Sequence, residues 1–578
     1  MPTLAVVDFN IVCATLGGFI ALFGLVSYLL KEKFYLSEAL ISLVAGVIFS
    51  PHAANLVRPL DYALDNTEVL GTITLYFTRL VLGVQLVIAG VQLPSKYLAK
   101  EWRSLSLLLG PGMVAMWLCT SLIIWAMVPN LSFLHSLAVG ACVTPTDPVL
   151  SNTIVKGKFA DKNIPKELQK IITAESGTND GLGYPFLFLP LFLIRYNEGG
   201  YHQAGTAVGM WFYETWIYQI VLSVVYGAVV GWIAKELLHW AEEKKYIDRE
   251  SFIVFAIALA LFIVGTCGMF GSDDILACFI AGNVFTWDDW FRKETLDDSL
   301  QPTIDMLLNV TIFIWFGAVC PWVKFRHNSV IPIYRLIFLG ILVLLLRRPP
   351  IVYAMHKKIH QIEGKKHAIF VGFFGPIGVS AIFYLYITLE YLRTIKDVEG
   401  NQREDILKLE EIVTIVVWFL VICSIVVHGV SIPLGKLGLY LPRTLSQALS
   451  QDSDQDNNLA LQTPSSSGFF RPANRHNEPG QYGITIPGAV YRVGRSVVKG
   501  NSRNTSKRTS KAPSPRDSSP TENGMRGETM ERSGSVNHEM HNKGMLGVVQ
   551  PGNPVGRDIR FVDEVPRNVI KKEEPEVL

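Results

Sequence analysis

Long apolar segments alternate with short polar segments over the first 440 residues of this 578-residue chain. An α-helix needs roughly 20 apolar residues to cross a bilayer, and thirteen segments approach that length. The pattern predicts thirteen transmembrane helices, at about 9–30, 36–55, 69–93, 102–128, 132–153, 167–196, 212–240, 251–270, 272–287, 301–320, 331–355, 366–391 and 410–436. Because the segment at 272–287 is short and the one at 132–153 contains prolines, twelve spans are the alternative.

Lysine and arginine are distributed unevenly between the two sides that thirteen spans define. The connecting segments and span ends of one side contain 20 of these residues, and those of the other side contain 8. An excess of basic residues marks the cytoplasmic side, so we expect the N-terminus outside and the C-terminal tail inside. A missed span would disturb this alternation, and the asymmetry therefore also favours the odd number.

The composition divides the chain into two parts. Residues 1–440 contain 68 of the 102 charged residues, and the much shorter stretch 441–578 contains the other 34. A mean hydropathy of +0.30 and a charged fraction of 18% exclude an ordinary soluble enzyme. We predict an all-α transmembrane domain at 1–440 and a cytoplasmic, largely disordered regulatory tail at 441–578.

Three further features of the composition restrict the choice. The net charge of +2 gives no indication of a nucleic-acid partner. All seven cysteines lie in apolar segments without a CxxC pair, which is typical of packing residues in membrane helices rather than of disulfides or metal ligands. The first apolar segment follows no basic region and is long enough to span the bilayer, so it is not read as a secretory signal.

The tail contains two segments with the composition of binding regions. Eight basic residues and no acidic ones lie between Arg492 and Arg516. This segment either binds anionic lipid, under the control of phosphorylation at nearby serines, or is merely solvated. The short apolar patch at Asp558–Ile570 is a candidate docking peptide for a regulatory protein.

The fifth predicted span contains the sequence Thr-Pro-Thr-Asp-Pro, which a regular helix does not accommodate. Pro145 and Pro148 lie within one turn, and each removes a donor and clashes with the preceding turn. We expect unwound backbone here, which membranes tolerate only where it is buried in protein or lines a cavity. The freed carbonyls, the hydroxyls of Thr144 and Thr146 and the carboxylate of Asp147 suit an alkali cation. The alternative is a proline kink that only shapes packing.

The sixth predicted span concentrates polar groups in Glu175–Gly183, within an otherwise apolar segment. Ionisable residues inside a membrane are costly and are functional candidates by default. Helical spacing allows Asp180 to face a cavity while Glu175 pairs elsewhere. A carboxylate at this depth is expected to take up and release protons near neutral pH. A purely structural polar network is the alternative.

Two adjacent arginines, Arg347 and Arg348, follow the apolar part of the eleventh predicted span. They either extend to the inner interface or pair with a buried carboxylate. Charge balance makes Glu175 the obvious partner, because an unpaired buried charge is expensive. The sequence does not distinguish which arginine points inward.

A second glycine- and proline-containing break, Gly375–Gly378, lies in the twelfth predicted span. Broken segments in both halves of a membrane domain indicate an inverted-repeat transporter with its site where the two breaks meet. Asp273 and Asp274, which begin the ninth span, are either a vestibule or accessory cation site or a simple helix-terminal acidic pair. His367 is a candidate pH sensor, although a lone histidine at a span end often has no such role.

Together these motifs resemble the monovalent cation/proton antiporter superfamily, and most closely its fungal plasma-membrane sodium/proton antiporters. The resemblance covers roughly residues 1–440. It depends on the combination and order of Thr144–Val149, Glu175–Gly181, Arg347–Arg348 and Gly375–Gly378.

The resemblance implies thirteen helices, two six-helix inverted repeats, a crossed pair of broken helices in the fifth and twelfth spans, and a homodimer. It implies that Asp180 is the carboxylate shared by sodium and the proton, with Asn179 as its polar partner. Thr144, Thr146 and the unwound backbone would contribute to ion choice, and Glu175 would pair with an arginine of the eleventh span.

The Asn-Asp pair differs from the Asp-Asp pair of related electrogenic transporters, so electroneutral one-for-one exchange is the simpler expectation. Asp147, Asp273 and Asp274 leave room for a second titrating group, and the stoichiometry stays open.

We therefore expect a plasma-membrane antiporter, not an enzyme and without a cofactor, that expels sodium, lithium and potassium in exchange for external protons. Its physiological role would be alkali-cation tolerance and pH homeostasis. A cation channel is disfavoured because no carbonyl-filter motif such as TVGYG occurs. A membrane-embedded hydrolase lacks HExxH and GxSxG motifs in the core. A transport-inactive sensor that signals through the tail is the third alternative.

Overall fold

The computed structural model describes residues 8–30, 36–155, 160, 164–198, 202–296, 298–396, 400–459, 491–493 and 496–498. The chain divides into two units, Met1–Gln462 and Thr463–Leu578. The proposed lipid-binding and docking segments of the tail lie outside the described residues, apart from the two short strands given below. The fold class is all-α in the described part of the first unit.

Eight helical segments are long and apolar enough to cross a membrane. Five of them are regular: Asp8–Tyr28, Thr67–Gln92, Arg249–Met269, Leu300–Val319 and Glu404–Leu459. The other three change geometry along their length, and the last of them bends at residues 347–348. They are Trp102–Leu107 with the π-turn Leu108–Gly112 and Met113–Met127; Ala204–Met210 with the π-helix Trp211–Val221 and Leu222–Glu243; and Ile333–Leu346 with Pro349–Met355 and the 3₁₀ turn His356–Lys358.

Five further spans are short or interrupted, which is why length alone does not identify them. The second and ninth spans are the short helices Glu38–Phe49 and Asp274–Phe285. The fifth, sixth and twelfth spans are each two helices in sequence: Phe133–Cys142 with Pro148–Val155, Lys166–Gly181 with Tyr184–Tyr196, and Lys365–Phe373 with Val379–Arg393. Over the described residues the prediction of thirteen spans is confirmed.

The remaining elements are short. Four single-turn helices lie between spans: Pro59–Tyr62, Tyr97–Lys100, Trp290–Glu294 and Trp322–Arg326. In the second unit the strands Tyr491–Val493 and Ser496–Val498 pair in antiparallel register.

Helix starts follow local capping chemistry. The side chains of Asn66, Ser132, Asp248 and Asp273 each accept a hydrogen bond from a backbone N–H of the first turn of the helix that follows. Such caps satisfy donors that a helix leaves unpaired at its N-terminus. Pro111 lies inside the π-turn of the fourth span, where its missing donor interrupts the regular hydrogen-bond ladder.

Small residues allow several spans to pack with their backbones in contact. The second and tenth spans meet at Gly46 and Gly317, where an added Cβ would collide with the backbone of the opposite helix. The same holds for Gly227 and Gly231 of the seventh span against the ninth. Close approach through small residues is how membrane helices gain packing energy where lipid provides no hydrophobic driving force.

Replacing Gly317 with alanine is expected to destabilise the protein. The new Cβ would lie 2.7 Å from the backbone nitrogen of Val47 and 2.8 Å from the carbonyl carbon of Gly46. Overpacking of this kind costs about 1–3 kcal/mol, so the Tm of the purified protein should fall. Gly265→Ala, at a position where a Cβ meets no atom within 4 Å, is the matched control. An equal Tm for the two variants would contradict this account of the packing.

Candidate functional site

The fifth span is interrupted where its prolines predicted a break. The first helix ends at Cys142 and the second begins at Pro148, and residues 143–147 between them are non-helical and buried. This confirms the expectation of unwound backbone at Thr144–Pro148, held within protein as the membrane requires.

The twelfth span has a matching interruption that contacts the first. Residues 374–378 connect the two helices of this span and are also buried. The backbone N–H of Asp147 donates to the carbonyl oxygen of Pro376 at 3.0 Å. The two breaks, which are more than 220 residues apart in the sequence, therefore meet at one point inside the protein.

The carboxylate of Asp147 caps two half-helices at this point. Its Oδ2 accepts from the N–H of Leu150 at 2.6 Å, in the first turn of Pro148–Val155. Its Oδ1 accepts from the N–H of Ser380 at 3.0 Å, in the first turn of Val379–Arg393. A negative charge at two helix N-termini is stabilised by their unpaired donors and dipoles. The side chain of Asp147 is fully engaged by these bonds.

Arg347 provides the complementary cap at the other two half-helix ends. Its Nη1 donates to the carbonyl oxygens of Val143, just after the helix Phe133–Cys142, and of Thr144, the latter at 3.2 Å. Its Nη2 donates to the carbonyl oxygen of Gly375, just after Lys365–Phe373. Cations are favoured at helix C-termini, where carbonyl groups lack partners. Asp147 and Arg347 together satisfy one end of each of the four half-helices.

Arg348, not Arg347, pairs with Glu175. Its two terminal nitrogens bind the two carboxylate oxygens at 2.6 and 2.8 Å, and its Nε donates to the carbonyl oxygen of Val371 at 3.0 Å. Both side chains of the pair are at most 2% exposed. Neither arginine extends to an interface, so the alternative of snorkelling does not hold for the described structure.

Hydroxyl and amide groups connect the sixth span to the first break. The Nδ2 of Asn179 donates to Thr146 Oγ1 at 2.8 Å, and its Oδ1 accepts from the Thr146 N–H at 3.2 Å. Ser176 Oγ lies 3.1 Å from the same Thr146 hydroxyl. The hydroxyl of Thr144 instead donates to the carbonyl oxygen of Gly140 at 2.8 Å, within its own helix. Asn179 thus fixes the position of Thr146 in the break.

Asp180 lies among these groups and differs from them in its hydrogen bonding. The residue is 1% exposed, and neither carboxylate oxygen makes a hydrogen bond of normal geometry among the described residues, although the Ser380 side chain lies close enough to interact with the carboxylate. Its main-chain carbonyl accepts from the hydroxyl of Tyr384. Asp147 and Asp273 are the carboxylates whose charges act on it. A buried carboxylate without donors is unstable as an anion, so this position requires a proton or a cation.

The acidic pair of the ninth span is divided between two roles. Asp274 accepts from Nε of Arg79 at 2.7 Å, across from the third span. Asp273 Oδ1 caps its own helix by accepting from Leu276 N–H at 3.0 Å, and Oδ2 has no partner among the described residues. Both carboxylates are buried, and Asp273 acts electrostatically on Asp180 and Tyr384.

His367 is separate from these contacts. It lies half-buried in the first turn of the helix Lys365–Phe373, and its Nδ1 has no hydrogen-bond partner in the described part of the chain.

Several site residues were not identified from the sequence. Arg79 could have been found, because an arginine inside an apolar span is a functional candidate by itself. Ser380 and Tyr384 gave no comparable signal, since hydroxyl residues are common in membrane helices. Ser424 accepts from the Ile377 N–H at 2.8 Å, and His428 lies 2.9 Å from the Phe373 carbonyl oxygen; both support the second break from the thirteenth span.

The crossed interrupted helices and their buried charges define a polytopic membrane protein of the broken-helix transporter type. Residues 18–434 match the transmembrane sodium/hydrogen exchanger family. The chain belongs to the sodium/hydrogen exchanger family, whose members are transporters rather than enzymes.

Similar proteins come from fungi. The chain is 36% identical over 455 residues to Na(+)/H(+) antiporter 2 of Zygosaccharomyces rouxii, covering 77% of this chain and 55% of that protein. It is 37% identical over 441 residues to the Na(+)/H(+) antiporter of Saccharomyces cerevisiae, covering 75% and 44%. An Na(+)/H(+) antiporter of Schizosaccharomyces pombe is 33% identical over 447 residues, covering 76% and 93%. The chain spans about half the length of the first two relatives.

A solved structure has the same fold. The sodium proton antiporter MjNhaP1 from Methanocaldococcus jannaschii superposes with a TM-score of 0.54, covering 74% of this chain and 98% of that one at 17% sequence identity. At this identity the likeness supports the fold alone.

We expect the Glu175–Arg348 pair to behave as one unit in stability measurements. Glu175→Gln leaves a buried guanidinium without its partner, and Arg348→Met leaves a buried carboxylate without its partner. Each single change should therefore lower the free energy of unfolding by about 3–5 kcal/mol. The double variant removes both charges and should be at least as stable as either single variant. The measurement is the Tm of the four purified proteins. Losses that simply add in the double variant would contradict the pairing.

Proposed function

We propose that this protein is a secondary active antiporter that exchanges intracellular sodium for external protons. The observation that carries the proposal is the carboxylate of Asp180, which is buried beside the two broken helices and makes no hydrogen bond of normal geometry through either oxygen among the described residues. The fungal relatives, which are named as Na(+)/H(+) antiporters, agree with this activity.

The chemistry follows from the cost of an unpaired buried charge. A proton neutralises Asp180, and a partly dehydrated sodium ion compensates its charge; either makes the buried site tolerable. The two ligands compete for the same oxygens, so one leaves as the other arrives. If only the occupied protein moves between inward-open and outward-open states, competition alone couples the two gradients.

Ion choice is assigned to the oxygen atoms around the first break. Carbonyls, hydroxyls and carboxylates are hard ligands that suit alkali cations. Asn179 holds Thr146 in place, whereas the hydroxyl of Thr144 is bonded to Gly140 and its carbonyl oxygen accepts from Arg347. We propose that lithium and potassium are also carried, with the smaller ions favoured by this compact site.

Electroneutral one-for-one exchange is the proposed stoichiometry. Both oxygens of Asp147 are occupied by the half-helix N-termini, and Asp274 is paired with Arg79. Asp180 is then the carboxylate best able to exchange ligands. Asp273 retains one oxygen without a partner and is the proposed accessory group on the ion path.

The cellular setting is proposed from the sequence pattern and the relatives. The excess of lysine and arginine on one side of the spans supports an N-terminus outside and a cytoplasmic tail. We assign the protein to the plasma membrane as a homodimer that supports alkali-cation tolerance and pH homeostasis. In this orientation His367 begins the twelfth span on the cytoplasmic side, where it would sense internal pH. Anionic lipid and regulatory proteins are the proposed partners of the tail.

Exchange should depend on the carboxylate of Asp180 and not on an exposed acid away from the site. Asp180→Asn keeps the shape of the side chain but removes the charge that binds sodium and the group that binds the proton. Protein in liposomes with a preset pH gradient should collapse that gradient on addition of sodium or lithium and not of choline, and the variant should lose this response.

The matched control is Asp61→Asn, which changes an exposed acid between the second and third spans and should exchange like wild type. Sodium-coupled proton movement by Asp180→Asn would overturn the assignment. A valinomycin-independent cation current in wild type, without proton coupling, would instead indicate a channel.

A further inference from the structure

A second polar cluster lies away from the crossing, where three helix ends meet. His135 is in the first turn of Phe133–Cys142, Glu198 follows the helix that ends at Tyr196, and Asp405 begins the thirteenth span. His135 Nε2 lies 3.0 Å from Glu198 Oε2 and 3.8 Å from Asp405 Oδ2. All three atoms lie within 4.8 Å of one another. The exchange mechanism proposed above uses none of these side chains.

We propose that His135, Glu198 and Asp405 form a binding site for a divalent transition-metal ion of the zinc class. Histidine nitrogen and carboxylate oxygen are both zinc ligands, and three protein ligands leave a fourth tetrahedral position for water. Ligand atoms around such an ion lie about 3.4 Å apart, given metal–ligand distances of about 2.1 Å. The observed separations bracket that value, so small side-chain rotations bring all three atoms into range.

The exposure of the three side chains is compatible with the small rotations that metal binding requires. The His135 side chain is only 10% exposed, and its helix start is fixed by Ser132, whose hydroxyl accepts from the His135 N–H at 3.1 Å. The side chains of Glu198 and Asp405 are 29% and 40% exposed; Glu198 can adjust its position, and Asp405 can pivot about its bond to Arg403 Nε. A fixed imidazole with two adjustable carboxylates allows the ion to set the final geometry.

Arg403 supports the site rather than blocking it. Its Nε donates to Asp405 Oδ1 at 3.0 Å and its Nη2 to Oδ2 at 2.5 Å, while Nη1 donates to the carbonyl oxygen of Ile194 at 3.1 Å. Nη2 also lies 3.8 Å from Glu198 Oε2, so a metal ion on the two carboxylates would displace this one nitrogen. When Oδ2 binds a metal, the bond from Nε to Oδ1 remains and orients the carboxylate. Outer hydrogen bonds of this kind are typical of metal ligands in proteins.

Access and charge also favour a cation. The cluster lines a cavity of about 1250 Å³ that supplies an entry path and room for a water ligand. With a neutral imidazole, the two carboxylates and Arg403 leave a net charge of −1, and Glu404 and Lys408 on the cavity wall offset each other. The imidazole selects zinc-like ions over magnesium and calcium, which prefer oxygen ligands alone. In the orientation proposed above this cavity opens to the outside.

A bound ion would join the outer ends of the fifth, sixth and thirteenth spans. The fifth span carries the first break, so the metal would hold one of the half-helices that Arg347 caps at its other end. Zinc at this position is therefore expected to stabilise the folded protein, because a ligand that binds only the native state raises its Tm.

The test measures zinc binding to the full-length purified protein. The protein is purified with a tag that contains no histidine, and bound metal is first removed with a chelator. Isothermal titration calorimetry with zinc chloride should detect one more binding site in wild type than in His135→Ala. The increase in Tm caused by zinc should also be larger for wild type than for the variant. Glu198→Gln keeps the side-chain shape and should weaken binding at this site by at least about tenfold. Magnesium chloride should give neither effect.

Other histidines and cysteines contribute equally to all variants, so the difference between proteins is decisive. His52→Ala, at an exposed position between the second and third spans, is the matched control and should bind zinc like wild type. The proposal is overturned if wild type, His135→Ala and Glu198→Gln take up the same number of zinc ions with the same affinity. That result would leave the cluster as an ordinary ion-pair network.

Discussion

The structure depends on keeping every backbone group satisfied where two transmembrane helices are broken at the same depth. Lipid offers no hydrogen bonds, and each buried unpaired group costs about 1–3 kcal/mol. Asp147 meets the requirement for the two half-helix N-termini and Arg347 for the two C-terminal ends. One acid and one base thus hold a crossing that would otherwise be unstable in a membrane.

This arrangement explains why Asp180 differs from the charged residues near it. The other buried charges near the crossing all make structural hydrogen bonds: Asp147 and Arg347 to the half-helix ends, and Glu175 to Arg348. These bonds fix the crossing and compensate the charges of the four side chains. The carboxylate of Asp180 lies beside them without a hydrogen bond of normal geometry or an ion pair among the described residues. A rigid frame around one unsatisfied carboxylate is a site that binds a small cation or a proton and has no need of covalent chemistry.

Sequence reasoning recovered the parts of this protein that composition and local chemistry determine. The spans follow from the alternation of apolar and polar segments, both breaks from proline and glycine, and the ion pair from charge balance. The choice of Arg348 over Arg347 could not be predicted, because adjacent residues differ in direction only once the helix geometry is known. The engagement of Asp147 with Ser380 depends on a contact across 233 positions, which no local pattern encodes.

The central claim is that sodium and a proton compete for one carboxylate, Asp180. The most direct measurement is proton release when sodium is added to the purified protein in weakly buffered solution with a pH-indicator dye. The account predicts release of one proton per bound sodium ion by wild type, and no release by Asp180→Asn. Sodium binding to wild type without proton release, or unchanged release by the variant, would contradict it.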